Sequence, residues 1–312
     1  MLSVIIPAYQ EEKMIPIAAK TISEILGKEN IPHEIIFIDD GSKDGTWSQI
    51  LTVTKIVNGI HGISFSKNFG KEAAIFAGLA YAKGNTVVVI DCDLQHPPEK
   101  IVEMYRLWQK GYKVVEGVKV SRGKEGFLHK IAACVFYKLI SCATGVDMRN
   151  ASDFKLMDRD VVNVILKMPE HRLFFRAISA WVGFPSAIVE FEVQERRQGT
   201  TKWNIKSLTW YALTNITSFS SAPLQIVTFS GIIFLIFAIM LIVQTLVKFL
   251  MGMALEGFTT IILLQLISSS ILMIAVGIIG YYIAKIYDEV KGRPRYIVYK
   301  ETGKTDAEDN RD

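Results

Sequence analysis

Two carboxylates close an apolar run at Val88-Val89-Ile90-Asp91-Cys92-Asp93-Leu94-Gln95-His96-Pro97-Pro98-Glu99. Strand side chains spaced i, i+2 point to one face, so Asp91 and Asp93 converge on one spot beyond the strand's end. Two oxygen ligands placed there suit a hard divalent cation that carries a diphosphate. An acidic turn after an ordinary strand is the plainer reading of a bare Asp-x-Asp, and the rest of the chain must decide between them.

The elements that would position these acids are legible from periodicity. Leu2 to Pro7 is an apolar run closed by proline, and Glu11 to Leu26 carries helical spacing until Gly27. Glu34 to Ile38 repeats the apolar run and leads into Asp39-Asp40-Gly41-Ser42 before another helix. Gly62 to Phe65 with a helix over Lys71 to Ala82 follows, and then Thr86 to Ile90 with a helix over Pro98 to Lys110. Proline suits a helix's first turn, where its missing N–H costs nothing. Four strand–helix units of this kind predict an α/β fold with a mainly parallel, doubly wound sheet and right-handed crossovers.

Such sheets bind ligands beyond the carboxyl ends of their strands. Three polar loops meet there: Pro7 to Glu11, Asp39 to Ser42, and Asp91 to Asp93. Neither G-x-G-x-x-G nor G-x-x-x-x-G-K-[ST] occurs in them, so dinucleotide redox chemistry and ATP hydrolysis lose support. Tyr9 suits covering a base, and Asp39 or Asp40 suits accepting hydrogen bonds from base or ribose. Asp-Gly and Gly-Ser are also ordinary turn chemistry.

Further on, Lys119, Arg122, Lys124, His129 and Lys130 put donors on a glycine-containing loop, a pattern that fits phosphate groups and equally a solvated surface. Ser152-Asp153-Phe154-Lys155-Leu156 places a carboxylate in an apolar setting, and Arg196 to Trp203 is a second basic loop. Ile205 to Phe219 reads as a helix at a membrane interface or as an amphipathic core helix. Half of the 312 residues are hydrophobic and 21% are charged, with mean hydropathy +0.28. The excess lies late: Leu224 to Val247 and Phe258 to Ala284 hold no charged residue. At about 1.5 Å per residue each exceeds a hydrocarbon core of roughly 30 Å.

No signal peptide is expected, because a strand pattern begins at Leu2. Lys202 and Lys206 precede the first apolar segment, and Lys285, Lys291, Arg293 and Arg295 follow the second. The connecting loop offers only Lys248, opposed by Glu256, so both termini are expected in the cytosol. Cys92, Cys134 and Cys142 lack metal-site spacing and read as small buried residues. A net charge of +4 without a basic, aromatic patch speaks against nucleic acid. Arg293 to Tyr299 predicts a short edge strand, where its proline is tolerated, and the charged tail from Glu301 is expected to be disordered.

Taken together, these motifs resemble the polyprenyl-phosphate glycosyltransferases of glycosyltransferase family 2. That group includes dolichol-phosphate mannose synthases and bacterial undecaprenyl-phosphate glucosyltransferases. The likeness rests on Pro-x-Tyr-x-Glu from Pro7, Asp-Asp-Gly-Ser-x-Asp-Gly-Thr from Asp39, Asp-x-Asp-Leu-Gln-His-Pro-Pro-Glu from Asp91, and Arg-x-x-Gly-x-x-Lys from Arg196 to Lys202. It implies a GT-A fold and a donor site of Pro7, Tyr9, Glu11, Ile38, Asp40, Asp91 and Cys92, with Arg196 and Lys202 on phosphates. It implies Mg²⁺ or Mn²⁺ at Asp93 and Gln95, and an acceptor phosphate at Lys119, Arg122 and Lys130. The family often has arginine where Lys119 stands, which turns a two-pronged contact into a point charge. Arg122 and Lys130 would serve catalysis together with Asp153, the position assigned as general base in the bacterial branch. Polyprenyl phosphate loses its second proton near pH 6 and needs little further proton removal, so Asp153 fits equally as an orienting group or a counter-charge.

The expected protein has a cytosolic catalytic domain over 1–204, an interfacial helix over 205–222, membrane spans at 224–247 and 258–284, and a basic cytosolic tail over 286–312. It would sit in a bacterial cytoplasmic membrane and invert the anomeric centre while moving one sugar to a polyprenyl phosphate. UDP-glucose leads as donor, with UDP-N-acetylglucosamine, UDP-galactose and GDP-mannose open. Family analogy suggests a homotetramer, and the aromatic tail could pair with a neighbouring subunit. A processive polysaccharide synthase is the first alternative, weakened by two spans and a missing Gln-x-x-Arg-Trp motif. An inactive membrane scaffold is the second, weakened by the intact Asp91, Asp93, Arg196 and Lys202.

Overall fold

Apolar strands with helices after them build the sheet. In a computed structural model that describes residues 1–119, 152–170, 174–192, 222–252 and 257–303, β1 (Leu2–Ala8) is followed by α1 (Met14–Lys28) and β2 (His33–Asp39) by α2 (Thr46–Ile56). Then come β3 (Ile60–Phe65), α3 (Lys71–Tyr81), β4 (Thr86–Val89), α4 (Lys100–Gln109) and β5 (Val114–Lys119). β6 (Lys155–Asp158), α5 (Arg159–Leu166), α6 (Phe175–Trp181) and β7 (Ser186–Phe191) complete that region, before α7 (Ala222–Leu250), α8 (Phe258–Val290) and β8 (Val298–Glu301). The eight strands run in the order β7-β5-β6-β4-β1-β2-β3-β8. β4, β1, β2 and β3 are mutually parallel, whereas β6 is antiparallel to both β4 and β5, and β8 is antiparallel to β3.

Alternation along β1 divides its side chains between two cores. Leu2, Val4 and Ile6 pack with Ala18 and Ile22 of α1 and Met104 of α4, while Ile5 packs on the other face with α3 and α5. Each fully buried aliphatic side chain of this kind contributes about 1.5–3 kcal/mol. Gly78 lets α3 approach closely, because a Cβ there would stand 2.3 Å from Ile5 Cγ2. Pro7 is tolerated in a central strand for a local reason. Ile5 accepts from Ile90 on the β4 side and Ala8 from Asp40 on the β2 side, so the N–H that Pro7 lacks falls on the β4 side, beyond the last ladder pair at Val89.

Two helices start later than their periodicity predicts. Residues 11–13 form a turn closed by the Met14 and Ile15 N–H groups on the Glu11 carbonyl, and α4 begins at Lys100 after a turn in which Ile101 donates to Pro98. In both cases the residues after the strand serve the loop first.

Residues 206–293 form a second compact unit. Within it α7 and α8 contain apolar stretches of 22 and 27 residues, Val227–Lys248 and Leu264–Val290, long enough to cross a membrane. Phe229, Ile236, Leu272 and Met273 are each more than half exposed, unlike the side chains of a soluble core helix. Exposed apolar surface on this scale is of the kind that a bilayer or a partner covers.

The tail does not form a region of its own. Residues 286–290 continue α8, and the chain from Pro294 belongs to the same compact unit as the sheet. Arg295 donates to the carbonyls of Met168 and Glu170 at 2.7 and 2.6 Å and lies 5.0 Å from the Phe76 ring centroid. Tyr296 stacks on Phe65 at 5.0 Å. The strand expected over Arg293 to Tyr299 forms later, as β8, so that Pro294 precedes it, and it pairs antiparallel with β3. The expected interfacial helix and the end of the tail, 304–312, lie outside the described residues.

Candidate active site

A cavity of about 300 Å³ opens at the carboxyl ends of β1, β2 and β4, bounded on one side by the start of α3. Its loops are tied to one another by backbone hydrogen bonds. Asp39 accepts from Ser42 N at 3.0 Å and Ser64 Oγ at 2.8 Å, Ser42 Oγ accepts from Gln10 N at 2.9 Å, and Thr46 Oγ1 accepts from Glu11 N at 3.0 Å. Asp40 takes the N–H groups of Phe69 and Gly70 at 2.7 and 2.9 Å and thereby fixes the segment that leads into α3. Burial raises the Asp40 carboxyl above its ordinary range, against the pull of those two N–H groups. Gly41 has φ +65°, and a Cβ there would lie 2.4 Å from the Lys67 carbonyl carbon, so only glycine lets the two loops meet.

Two non-glycine residues beside the cavity have left-handed backbone, Gln10 at φ 58° and Leu94 at φ 55°. Such conformations cost about 1–3 kcal/mol and persist where the surroundings hold them. Leu94 is held by burial in the core, and its turn lets Asp93 Oδ1 accept from Gln95 N at 3.1 Å. The strained turn thus presents Asp93 at the mouth of the strand.

Of the residues expected at the donor and metal sites, Pro7, Tyr9, Glu11, Asp40, Asp91, Cys92 and Asp93 all line this cavity. Cys92 is nearly buried, and burial raises its thiol well above the ordinary value, so it acts as a small filler and not as a nucleophile. Ile38 is fully buried in a cluster with Ile5, Ile36 and Ile63, so contact with a nucleoside at this position falls to its backbone. Gln95 is half-buried and outside the lining, and Lys119 is exposed at the end of β5. Arg122, Lys130, Arg196 and Lys202 lie outside the described residues, as do Lys124, His129, Cys134 and Cys142.

The β6 side of the site holds residues that motif reading did not select. β4 and β6 pair antiparallel with Val89 opposite Lys155, so the same register carried two residues further puts Asp91 opposite Asp153. Facing carboxylates repel. Lys71, the first residue of α3, sits between them, with Nζ 2.6 Å from Asp91 Oδ1 and 2.7 Å from Asp153 Oδ2. Arg176 grips Asp153 from the other side, Nε to Oδ1 at 2.7 Å and Nη2 to Oδ2 at 2.8 Å. Glu72 accepts from Phe175 N at 3.0 Å and so joins α3 to α6 beside this cluster.

The charges follow from these contacts. Burial alone would raise the Asp153 carboxyl, yet the Arg176 hydrogen bonds and the Lys71 charge prevail and hold it far below the carboxylate range. Burial likewise disfavours the Lys71 ammonium, but Asp91 and Asp153 keep it protonated well above its ordinary value. Burial and then the Asp153 charge push Glu72 up to about 7, opposed by the Phe175 N–H and by Arg176 and Lys71. Beneath the cluster, the fully buried Lys155 donates to Glu116 at 3.2 Å and lies 5.3 Å from the Phe175 ring centroid. His96 stacks on Phe154 at 5.1 Å with its buried Nδ1 unpartnered among the described residues, and burial lowers its pKa.

With Glu11, Asp40, Asp91 and Asp93 lining the cavity against Lys71, the arrangement favours a cation there, and Asp153 is poorly placed to move a proton. Three donors already occupy the two Asp153 oxygens. For metal, the hard carboxylate oxygens of Asp91 and Asp93 at the cavity are the right chemistry. Among the described residues no three His, Cys, Asp or Glu side chains form a cage. A divalent cation held here would complete its shell with ligand oxygens, as Mg²⁺ commonly does with phosphates.

Comparison with known proteins gives this geometry its context. The family described as Glycosyl transferase family 2 matches residues 3–166. The uncharacterized glycosyltransferase YkcC of Bacillus subtilis (strain 168) is 39% identical over 304 residues, spanning 96% of this chain and 94% of that protein. A prophage bactoprenol glucosyl transferase homolog of Escherichia coli (strain K12) is 39% identical over 302 residues, spanning 95% and 98%. The bactoprenol glucosyl transferase of Shigella phage SfV is 38% identical, spanning 97% and 99%. Among solved structures, glucosyl-3-phosphoglycerate synthase from Mycobacterium tuberculosis, in complex with Mn²⁺, UDP and phosphoglyceric acid, shares the fold at 20% identity. That likeness has TM-score 0.51 and covers 69% of this chain and 76% of the other. A strand-end cavity walled by Asp91 and Asp93, on a sheet of this topology and with relatives alike over nearly their whole length, makes the chain a glycosyltransferase of the GT-A fold and a member of glycosyltransferase family 2.

Proposed function

We propose that the protein transfers one sugar, with UDP-glucose as first donor, to a polyprenyl phosphate at the cytosolic face of a membrane. The observation that carries this reading is the end-to-end similarity to bactoprenol glucosyl transferases together with two apolar helices, because a polyprenyl acceptor keeps its tail in the bilayer. In this reading residues 1–204 are the catalytic domain, 205–222 lie at the interface, and both termini are cytosolic.

Pro7, Tyr9, Glu11 and Asp40 enclose the nucleoside, and Asp91 accepts from the ribose or the sugar. Asp93, with Gln95 beside it, would hold a divalent cation, which when bound offsets the charge of a departing diphosphate. Lys119, Arg122, Lys130, Arg196 and Lys202 hold donor and acceptor phosphates. An acceptor oxygen forms a bond to C1 from the face opposite the diphosphate, and the electron pair of the broken bond leaves with the diphosphate, so the anomeric configuration inverts. A dianionic acceptor has no proton to surrender, and the occupied oxygens of Asp153 suit an orienting group, not a base.

The test incubates membranes containing the protein with undecaprenyl phosphate and a panel of labelled nucleotide sugars, and counts label in the lipid extract. Label from UDP-glucose, one sugar per lipid, is expected. Absence of lipid label from every donor, or a polymeric product, would overturn the reading.

A further inference from the structure

We propose that the Lys71 ammonium binds the attacking phosphate oxygen of the acceptor, at the seam between the donor cavity and Asp153. The proposal rests on the transfer reaction set out above. Strand order gives the direction: Asp40 follows β2, Tyr9 and Glu11 follow β1, Asp91 and Asp93 follow β4, and Asp153 precedes β6. The site therefore runs from the nucleoside side to the β6 side. Lys71 lines the cavity and also reaches Asp153, so its charge lies at the end remote from Asp40. That is where the sugar and its attacker meet.

The local chemistry fits this role better than a structural one. A helix's N-terminal end disfavours cations, yet Lys71 opens α3. Asp91 and Asp153, 2.6 and 2.7 Å from one ammonium, are a liability without a cation between them. Each group is costly alone, and together they fix one ammonium in place. Lys71 has three N–H donors, of which Asp91 and Asp153 take two, and its side chain remains 40% exposed. The third donor can meet a phosphate oxygen. No proton moves in this step: the oxygen's electron pair forms the bond to C1, and the bond from C1 to the diphosphate breaks.

The experiment uses the full-length protein with undecaprenyl phosphate and radiolabelled UDP-glucose. Lys71→Met should raise the KM for undecaprenyl phosphate by at least about tenfold and lower kcat, as expected for loss of a charge-assisted hydrogen bond. The rise in the acceptor KM should exceed any change in the KM for UDP-glucose, and Lys71→Arg should recover part of the acceptor KM. A structural role would alter thermal melting without this split. Unchanged acceptor KM and kcat in Lys71→Met, or a rise confined to the donor KM, would overturn the Lys71 assignment while wild-type transfer keeps the parent reading intact. Absence of wild-type transfer would sink both. If Lys71→Met shows no melting transition, Lys71→Met/Asp153→Asn removes the unbalanced carboxylate and is judged by the same acceptor KM.

Discussion

The two walls of the site are built differently. The wall formed by the β1, β2 and β4 loops is held by backbone N–H groups on short side chains, as where Asp39 takes Ser42 N and Asp93 takes Gln95 N. The wall at β6 is held by ion pairs between residues far apart in sequence, Lys71 with Asp153 and Arg176 with Asp153. The first wall is a set of shaped loops whose carboxylates line the cavity, and the second is a cluster of paired charges. A loop can change to suit a different nucleotide with little effect elsewhere, whereas a change at β6 unbalances several charges at once.

Four substitutions test that contrast. Asp93→Ala should reduce transfer by about 100-fold or more with Mg²⁺ or Mn²⁺ present while leaving the melting temperature near wild type. Wild-type transfer in this variant would remove Asp93 from the site. Asp153→Asn should cost both activity and about 2–3 kcal/mol of stability, less than a fully buried pair because Lys71 and Arg176 are partly exposed. Its activity loss should be the same at pH 6.5 and pH 9, and a loss that shrinks as pH rises would restore the general-base role. Glu72→Gln sharpens the view of the β6 wall through pH. The folded carboxyl titrates near 7 in place of 4.5, so the folded state holds a proton that the unfolded state has lost, and wild-type stability falls as pH rises between those values. The variant should therefore melt higher than wild type at pH 8, by on the order of 1–3 kcal/mol, and alike at pH 4. Ser42→Ala in the loop wall removes one exposed hydrogen bond from Gln10 N and should cost only about 0.5–1 kcal/mol in thermal melts.

The same contrast explains what the sequence made legible. The first four strands, the loops that follow them and seven cavity residues could be read because apolar runs and turn motifs are local properties of the chain, whereas β5, β6 and β7 were not read. Ile38 shares a strand face with Asp40 but is fully buried, so alternation alone does not tell a core position from one at the cavity. Lys71, Glu72 and Arg176 escaped because a lysine or glutamate opening a helix looks like an ordinary solvated residue until its partner, 82 positions on for Lys71, is brought to it. One signal was available. A lysine at the first position of α3 conflicts with the helix dipole, and a local conflict of that sort marks a site where something else offsets the cost.

The pairing of β8 with β3 has a consequence for the order of synthesis. Gly62 N donates to Thr302 Oγ1, a partner 240 positions later, and β3 takes its outer neighbour from the same late segment. A ribosome makes both long apolar helices before it makes that neighbour. Throughout this interval β3 is an open sheet edge, the kind of surface that pairs with other chains. The catalytic sheet is therefore sealed only after the unit of two long apolar helices has been made, and a nascent chain halted between α8 and β8 would expose the β3 edge.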